Sequence, residues 1–417
     1  MTSATTVGTA AAASVPAQRT AHRSLSEGLA GHRNSLGIIR LVLATAVIFS
    51  HAFYIGGWGH DPFLDLVRGQ ESIGGIAVLG FFAISGYLIA KSGVSSDAVQ
   101  FIWRRILRIF PAFWTVLLVT AGIVGPVIWL LMGRPLATYL TVGPGSPIGY
   151  LTANATLAIR QYGIHDIFVD TPYGEVAGSV FNGSLWTLDY EWGSYLIIWA
   201  FVIFGVLRNA KFLVPVLTGF YLLLEIASRL VPGGAGMIFP YFNDHLRITL
   251  PLIFLYGACL AMYSRRIVLD WRFALLAVCL IGGSLAFGGF TIFGYPAIAY
   301  LILWLAVALP KSWQWIGAKN DYSYGMYVYG FLIQQITAWL GWYQWGYWPW
   351  TLTCVAVTAG FAWMSWHGIE KRALSFKDRG PGRGIKYWVA WAQEVSRRSG
   401  ARFNKPTKAS RTEGAVE

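Results

Sequence analysis

His51 and Arg40 lie in LGIIRLVLATAVIFSHAFYI (Leu36–Ile55), an apolar run long enough to cross a bilayer. Ionisable groups inside such a run are costly and usually face a protein interior or a watery cavity. Eleven residues of α-helix set the two side chains about 20° apart around the axis and about 16 Å apart along it. They therefore share a face and point towards opposite ends. An imidazole can serve near neutral pH as a general base, a nucleophile or a metal ligand. No second histidine stands near it at metal-ligand spacing, so no metal is expected. A plain hydrogen bond between helices is the structural alternative.

Three further stretches carry candidate chemistry. FIWRRILRIFP (101–111) holds Arg104, Arg105 and Arg108, the last two on one helical face. Read as the entrance to a span, three arginines are poorly placed for the helix dipole and suit an anionic ligand, phosphate above all. Positive-inside anchoring accounts for two of them equally well. VLGFFAISGYLIAKS offers Ser85, Gly86 and Tyr87, two hydroxyls beside a point of close approach, which helix packing would also explain. NGSLWTLDYEWGSYL contains Trp186, Asp189 and Glu191. A carboxylate beside a histidine can hold its tautomer and stabilise the imidazolium, a part that Asp189 or Glu191 could take for His51; acids at a helix start are the alternative. Glu225 and Arg229, four apart, read first as an internal ion pair.

The elements that must position these residues are membrane helices. Of 417 residues 55% are hydrophobic and only 12% charged, too few charges for a soluble chain of this length, and 20 Trp fit interfacial belts. Apolar stretches recur at about 36–56, 73–91, 109–132, 185–207, 212–230, 247–264, 270–288, 290–309, 321–342 and 347–368. The expected fold is all-α: a polytopic membrane protein of about ten transmembrane helices. Lys91, Arg104, Arg105, Arg208, Lys211, Arg265, Arg266, Lys311 and Lys319 then fall on one side, putting both termini in the cytoplasm. FGGFTIFG, between the seventh and eighth spans, is the weak point; one bent segment there would invert the orientation of every later span.

Residues 1–34 read as a disordered cytoplasmic tail, 35–372 as the membrane core and 373–417 as a basic cytoplasmic tail with an amphipathic stretch, KYWVAWAQEV. The net charge of +13 lies mostly in these tails, which favours membrane lipids as partners over nucleic acid. Cys259, Cys279 and Cys354 are scattered, without a disulfide framework or zinc spacing. The connection from Gly133 to Gly183 is the longest, with a short helix expected around Tyr150–Ile159; it is a lid, a binding loop or a plain surface loop.

Arginines on one side and a histidine with acids towards the other would serve group transfer from a phosphorylated donor to an acceptor across the membrane. A transporter or flippase lined by the same groups is the alternative, although no internal duplication is visible.

In family order, LGIIRLVLATAVIFSH, GFFAISGYLIAKS, FIWRRILRIFP, GSLWTLDYEW, YSYGMYVYGF and IEKRA resemble acyltransferase family 3, integral membrane acyltransferases of sugars and other hydroxyl compounds. The resemblance spans Leu36 to Ala373. It implies about ten transmembrane helices, an acyl-CoA donor entering from the cytoplasm and an acceptor near the exoplasmic side, in a multi-pass protein of the inner (cytoplasmic) membrane. His51 resembles the family's essential histidine and Arg40 its upstream partner. Arg105 and Arg108 match its paired arginines, and Glu191 the acid of its SLWxLxxE pattern. His51 and Glu191 are the expected catalytic residues, and Arg40, Arg105 and Arg108 with Ser85, Tyr87, Trp186 and Asp189 make up the expected substrate-binding set. The family often shows a histidine where this chain has Gly330. Acetyl-CoA, or another acyl-CoA, is expected as co-substrate, with no resident cofactor, and a glycan, lipid-linked sugar or other hydroxyl compound as acceptor.

Overall fold

The computed structural model describes residues 23–31 and 34–403. Among these there is no strand, only one isolated bridge between Ser24 and Val268. Ten long helices fall on the ten apolar stretches: α1 Leu36–Ile55, α2 Ile73–Ser95, α3 Ala98–Val119, α4 Thr187–Ile203, α5 Leu213–Leu230, α6 Leu246–Met262, α7 Trp271–Phe287, α8 Tyr295–Ala308, α9 Ser323–Trp339 and α10 Tyr347–Ser365. By length and composition five can cross a bilayer: α1, α2, α3 with its continuation to Leu131, α5, and α8 with the π-turn before it. The helices α6 and α7 are apolar but shorter. The fold is all-helical and multi-pass.

One boundary corrects the sequence reading. The third helix starts at Ala98, where Asp97 accepts hydrogen bonds from the Val99 and Gln100 N–H groups at 3.0 and 2.9 Å. It runs through Pro111 and continues through a π-turn at Thr120–Val124. Arg104, Arg105 and Arg108 therefore sit two to three turns inside a helix, not at its entrance. The weak point between α7 and α8 resolves into a tight turn. Gly288 and Gly289 take φ of 102° and 84°, a region costly for other residues, and separate two distinct helices.

The core is built on α2, which packs along α6, α1, α8 and α4. Its contact with α6 is backbone on backbone. A Cβ on Gly86 would stand 1.8 Å from the Phe254 carbonyl oxygen, and one on Gly257 would stand 2.1 Å from that of Ala83. Small residues at such crossings allow the close packing that holds membrane helices together. Gly86→Ala should therefore destabilise by about 1–3 kcal/mol, the usual cost of overpacking. Gly219→Ala on α5, where a Cβ meets nothing within 4 Å, should not. Thermal melting in detergent checks the pair, and equal melting of the two variants would refute the backbone contact.

Both tails are partly seated. Residues 1–22 of the expected tail lie outside the described residues, but Leu25–Gly28 forms a helical turn with a Ser24–Glu27 capping box. Backbone bonds Leu25 N–H to Ile267 O (2.8 Å) and Leu269 N–H to Arg23 O (2.9 Å) fix it to the α6–α7 connection. After α10 the chain returns to the start of α3. Arg104 pairs with Asp378 at 2.9 Å, the Trp103 indole donates to the Phe376 carbonyl, and Asp97 accepts the Ile385 N–H. There α11 (Ile385–Phe403) begins, longer than the amphipathic stretch anticipated; residues 404–417 lie outside the described residues.

The long connection is a packed cap. Its short helix is Pro147–Asn154, starting earlier than expected because Ser146 caps it. Asn154 is fully buried and accepts from the Arg160 and Gln161 N–H groups while donating to the Gln161 carbonyl. Arg134 grips Asp166 with both guanidinium nitrogens and holds its carboxyl below the usual range.

Candidate active site

The helix α1 connects two groups of cavities. At its Arg40 end lies a cavity lined by Arg40, Ser85, Arg105, Arg108, Glu191 and Tyr195, among others. A neighbouring cavity shares Arg40 and Leu88 with it and adds Tyr87, Lys91 and Asp321. At the His51 end a cavity is lined by His51, Trp186, Glu71, Arg229 and His245. His51 and Trp186 also border an aromatic cavity beneath the cap, with Tyr54, Tyr162, Tyr173 and Phe331. The shared face of Arg40 and His51 thus borders both groups.

The arginines at the Arg40 end are not equivalent. Asp321, just before α9, is hydrogen-bonded by Arg40 and, at 2.7 Å, by Arg108, while Ser323 donates its hydroxyl to the other carboxylate oxygen. Arg108 also lies 3.7 Å from Glu370. Arg105 forms no ion pair or hydrogen bond among the described residues. Its guanidinium sits over the Phe101 and Tyr195 rings, and its buried Nε has no partner. A half-buried cation with no ion pair is expensive, which makes Arg105 the group best placed to take an anionic ligand. The Tyr87 hydroxyl, likewise buried and unpartnered, adds a hydrogen-bonding group nearby.

At the other end, the His51 imidazole meets Phe331 edge-on at 5.3 Å and has no hydrogen-bond partner among the described residues. Its backbone is held by neighbours. The Ser50 hydroxyl donates at 2.7 Å to fully buried Asp61, which also accepts the Phe63 and Ile73 N–H groups and so ties the end of α1 to the start of α2. Gln334 donates to the Ile48 carbonyl. On the same helix, a side chain at Gly330 would run into Ile48 at 2.8 Å. Glycine here lets α9 close against α1, and this contact is the physical counterpart of the departure from the family's histidine.

Glu191 does not stand beside His51, contrary to expectation. It lies one turn into α4, facing the Arg40-side cavity, where Ser85 and Tyr195 donate to its Oε1 at 3.1 and 2.5 Å. The spacing within α4 explains the error: Trp186 at its start reaches the His51 cavities, and Glu191 five residues on points the other way along the membrane. Asp189 is also elsewhere, bound by Arg247 at 2.5 Å and absent from the lining of all four cavities. Ser85, Tyr87 and Trp186 line cavities as expected.

Between the two groups stand Thr187, Tyr327 and Val78, which line both the Arg40-side and the His51-side cavity. Tyr327 donates to the Ser184 carbonyl at 2.8 Å, so its bond with Thr187 is one in which the threonine hydroxyl donates. Asp321, Asp61, Tyr327 and His245 were not singled out from sequence. Asp321 had a signal, a lone acid at the foot of an apolar stretch; the others make contacts that no local spacing reveals.

The chain is similar to known proteins over most of its length. The family profile described as an acyltransferase domain matches residues 33–367. A protein named O-acetyl transferase from Shigella phage Sf6 is 29% identical over 355 residues, covering 82% of this chain and 96% of its own. Nodulation protein 10 of Rhizobium leguminosarum bv. viciae is 29% identical over 398 residues, covering 84% and 96%. No solved structure matches. With the profile covering most of the chain and the helices able to cross a bilayer several times, this protein belongs to acyltransferase family 3.

Proposed function

We propose that the protein is a transmembrane O-acyltransferase, acetyl being the first group to test, that takes the acyl group from acyl-CoA and gives it to a hydroxyl of a sugar or glycan. In this reading both termini are cytoplasmic, ten helices cross the inner membrane, and the Arg40 end faces the donor. The observation that carries it is the pairing of an arginine-rich cavity at one end of α1 with His51 in a separate cavity at the other, meeting at Thr187 and Tyr327.

Donor phosphate binds Arg105, the cation left without an ion pair or hydrogen bond, and the pantetheine arm extends towards Thr187 and Tyr327. His51 takes the proton from the acceptor hydroxyl as its oxygen attacks the thioester carbonyl carbon. The new C–O bond forms, the C–S bond breaks, and CoA leaves as a thiol once its sulfur is protonated. Glu191, held by Ser85 and Tyr195, balances the charge around Arg105 instead of orienting the histidine.

Purified protein in lipid nanodiscs, supplied with acetyl-labelled acetyl-CoA and extracted surface glycan, should move label to the glycan; no transfer from any acyl-CoA would overturn the reading. In the same assay Arg105→Ala should raise the donor KM about tenfold or more, the scale of one lost charge-assisted hydrogen bond, with a smaller change in kcat. A fall in kcat at unchanged KM would remove Arg105 from the donor site.

A further inference from the structure

The His51 cavity contains a second cluster that the proposed reaction leaves unused. Glu225 on α5 has a fully buried side chain, although it lies inside an apolar helix able to cross the bilayer. Its two oxygens are taken by Arg229 Nε at 2.5 Å and His245 Nε2 at 2.7 Å, and a second Arg229 nitrogen donates to the Thr291 hydroxyl at 2.6 Å. The partners face the other way: the Arg229 and His245 side chains are 52% and 50% exposed, and both line the cavity that His51 lines. A carboxylate in such a position is retained only at a cost. Here it fixes a guanidinium and an imidazole from behind and leaves their other polar edges to the cavity.

The chemistry of that surface is mixed. With Nε2–H given to Glu225, His245 offers Nδ1 as an acceptor, beside the remaining N–H donors of Arg229. Glu71 and Thr249 line the same space. The charges of this cavity nearly balance, Arg68 and Arg229 against the Glu225 behind them and Glu71, whose burial pushes its carboxyl up to about 7. In the Arg40-side cavity Arg40, Arg105 and Arg108 face only Glu191 among the lining residues, with Asp321 at the edge. An anion suits that arginine-rich cavity and is mismatched in the His51 cavity, where alternating donors and acceptors fit groups that both give and take hydrogen bonds, as neighbouring ring hydroxyls do.

We propose that Arg229 and His245, held by Glu225, form an acceptor subsite for a neutral, hydroxyl-rich sugar ring, keeping the ring in place while another of its hydroxyls reaches His51. The proposal rests on the acyl-transfer reading for the chemistry at His51, but the binding is testable alone. Saturation-transfer NMR on the protein in nanodiscs, with empty nanodiscs subtracted, would use neutral hexosides and 6-deoxyhexosides alongside a glucuronide. Methyl and dodecyl glycosides of each sugar tell a free glycan from a lipid-carried one, and the subsite stands with either. Neutral glycosides should bind and the glucuronide should not. His245→Phe and Arg229→Lys, the second keeping a charge on buried Glu225, should each weaken binding roughly five- to tenfold, the loss of a hydrogen bond or two, in protein that circular dichroism shows to be folded. Glu225 itself is left intact, because removing it strands Arg229. Failure of every neutral glycoside to bind, equal or better binding of the glucuronide, or undiminished binding by both variants would overturn the subsite. Variant-sensitive glycoside binding without transfer from any acyl-CoA would leave the subsite standing and overturn the transferase reading instead.

Discussion

Replacing His51 with alanine should lower acyl transfer by about two to four orders of magnitude, the contribution of a positioned general base, in a protein that melts as the wild type does. The two halves of that expectation have separate grounds. The imidazole makes one edge contact with Phe331, accepts and donates no hydrogen bond within the described residues, and borders open space on two sides. Its loss removes little packing. The end of α1 is held instead by the Ser50–Asp61 bond and by Gln334 on the Ile48 carbonyl, neither of which uses the His51 side chain. His51→Asn, of similar polarity but without a basic nitrogen, should fall as far as alanine. Label transfer from acetyl-CoA to surface glycan measures the first half and thermal melting the second. Full activity in either variant would end the assignment, and a large drop in melting temperature would make His51 a structural residue.

Asp321→Ala should cost about 3–5 kcal/mol of stability, the price of leaving buried charges unpaired. Two guanidinium groups, from α1 and α3, converge on this one carboxylate, whose side chain is only 16% exposed. Without it Arg40 and Arg108 repel one another across the junction of α1, α3 and α9, and Glu370, at 3.7 Å from Arg108, reaches only one of them. Asp321→Asn, which keeps the shape and a hydrogen bond but not the charge, should lose nearly as much. Asp189→Ala, which frees Arg247 where Asp244 lies within 3.6 Å as a substitute, should lose much less. Comparing melting temperatures of the three in one detergent decides the matter. Wild-type melting of Asp321→Asn would show that Arg40 and Arg108 are not pinned by this pair and are as available to a ligand as Arg105.

What could be read from sequence divides along the range of the interaction. The helix Leu36–Ile55 has the limits read from its apolar run, and the shared face of Arg40 and His51 borders cavities at both ends, because helical period and hydropathy are local properties. The Glu225–Arg229 pair is likewise local and is present. The start of α3 is hidden in the sequence because the arginines and Pro111 mask a helix that Asp97 has already capped. Three features of the site that the sequence conceals are long-range. Glu191 sits with Ser85, 106 residues earlier, Arg40 with Asp321, 281 residues later, and Glu225 with His245 from the next helix. Spacing along one helix says which residues share a face but not which helix that face meets.

A bilayer that stores an ion gradient loses it through any continuous file of water, and roomy cavities at both ends of one helix invite such a file. Thr187, Tyr327 and Val78 stand as the partition between them. The partition is closed by a methyl-bearing side chain and by hydroxyls bonded to one another and to the Ser184 carbonyl. Opening it sacrifices hydrogen bonds worth about 0.5–1.5 kcal/mol each, a cost that the proposed thioester arm would have to meet. Once the arm withdraws the hydroxyls pair again. In the proposed reaction this partition would let a small acyl group cross while the membrane stays insulating to protons and salt.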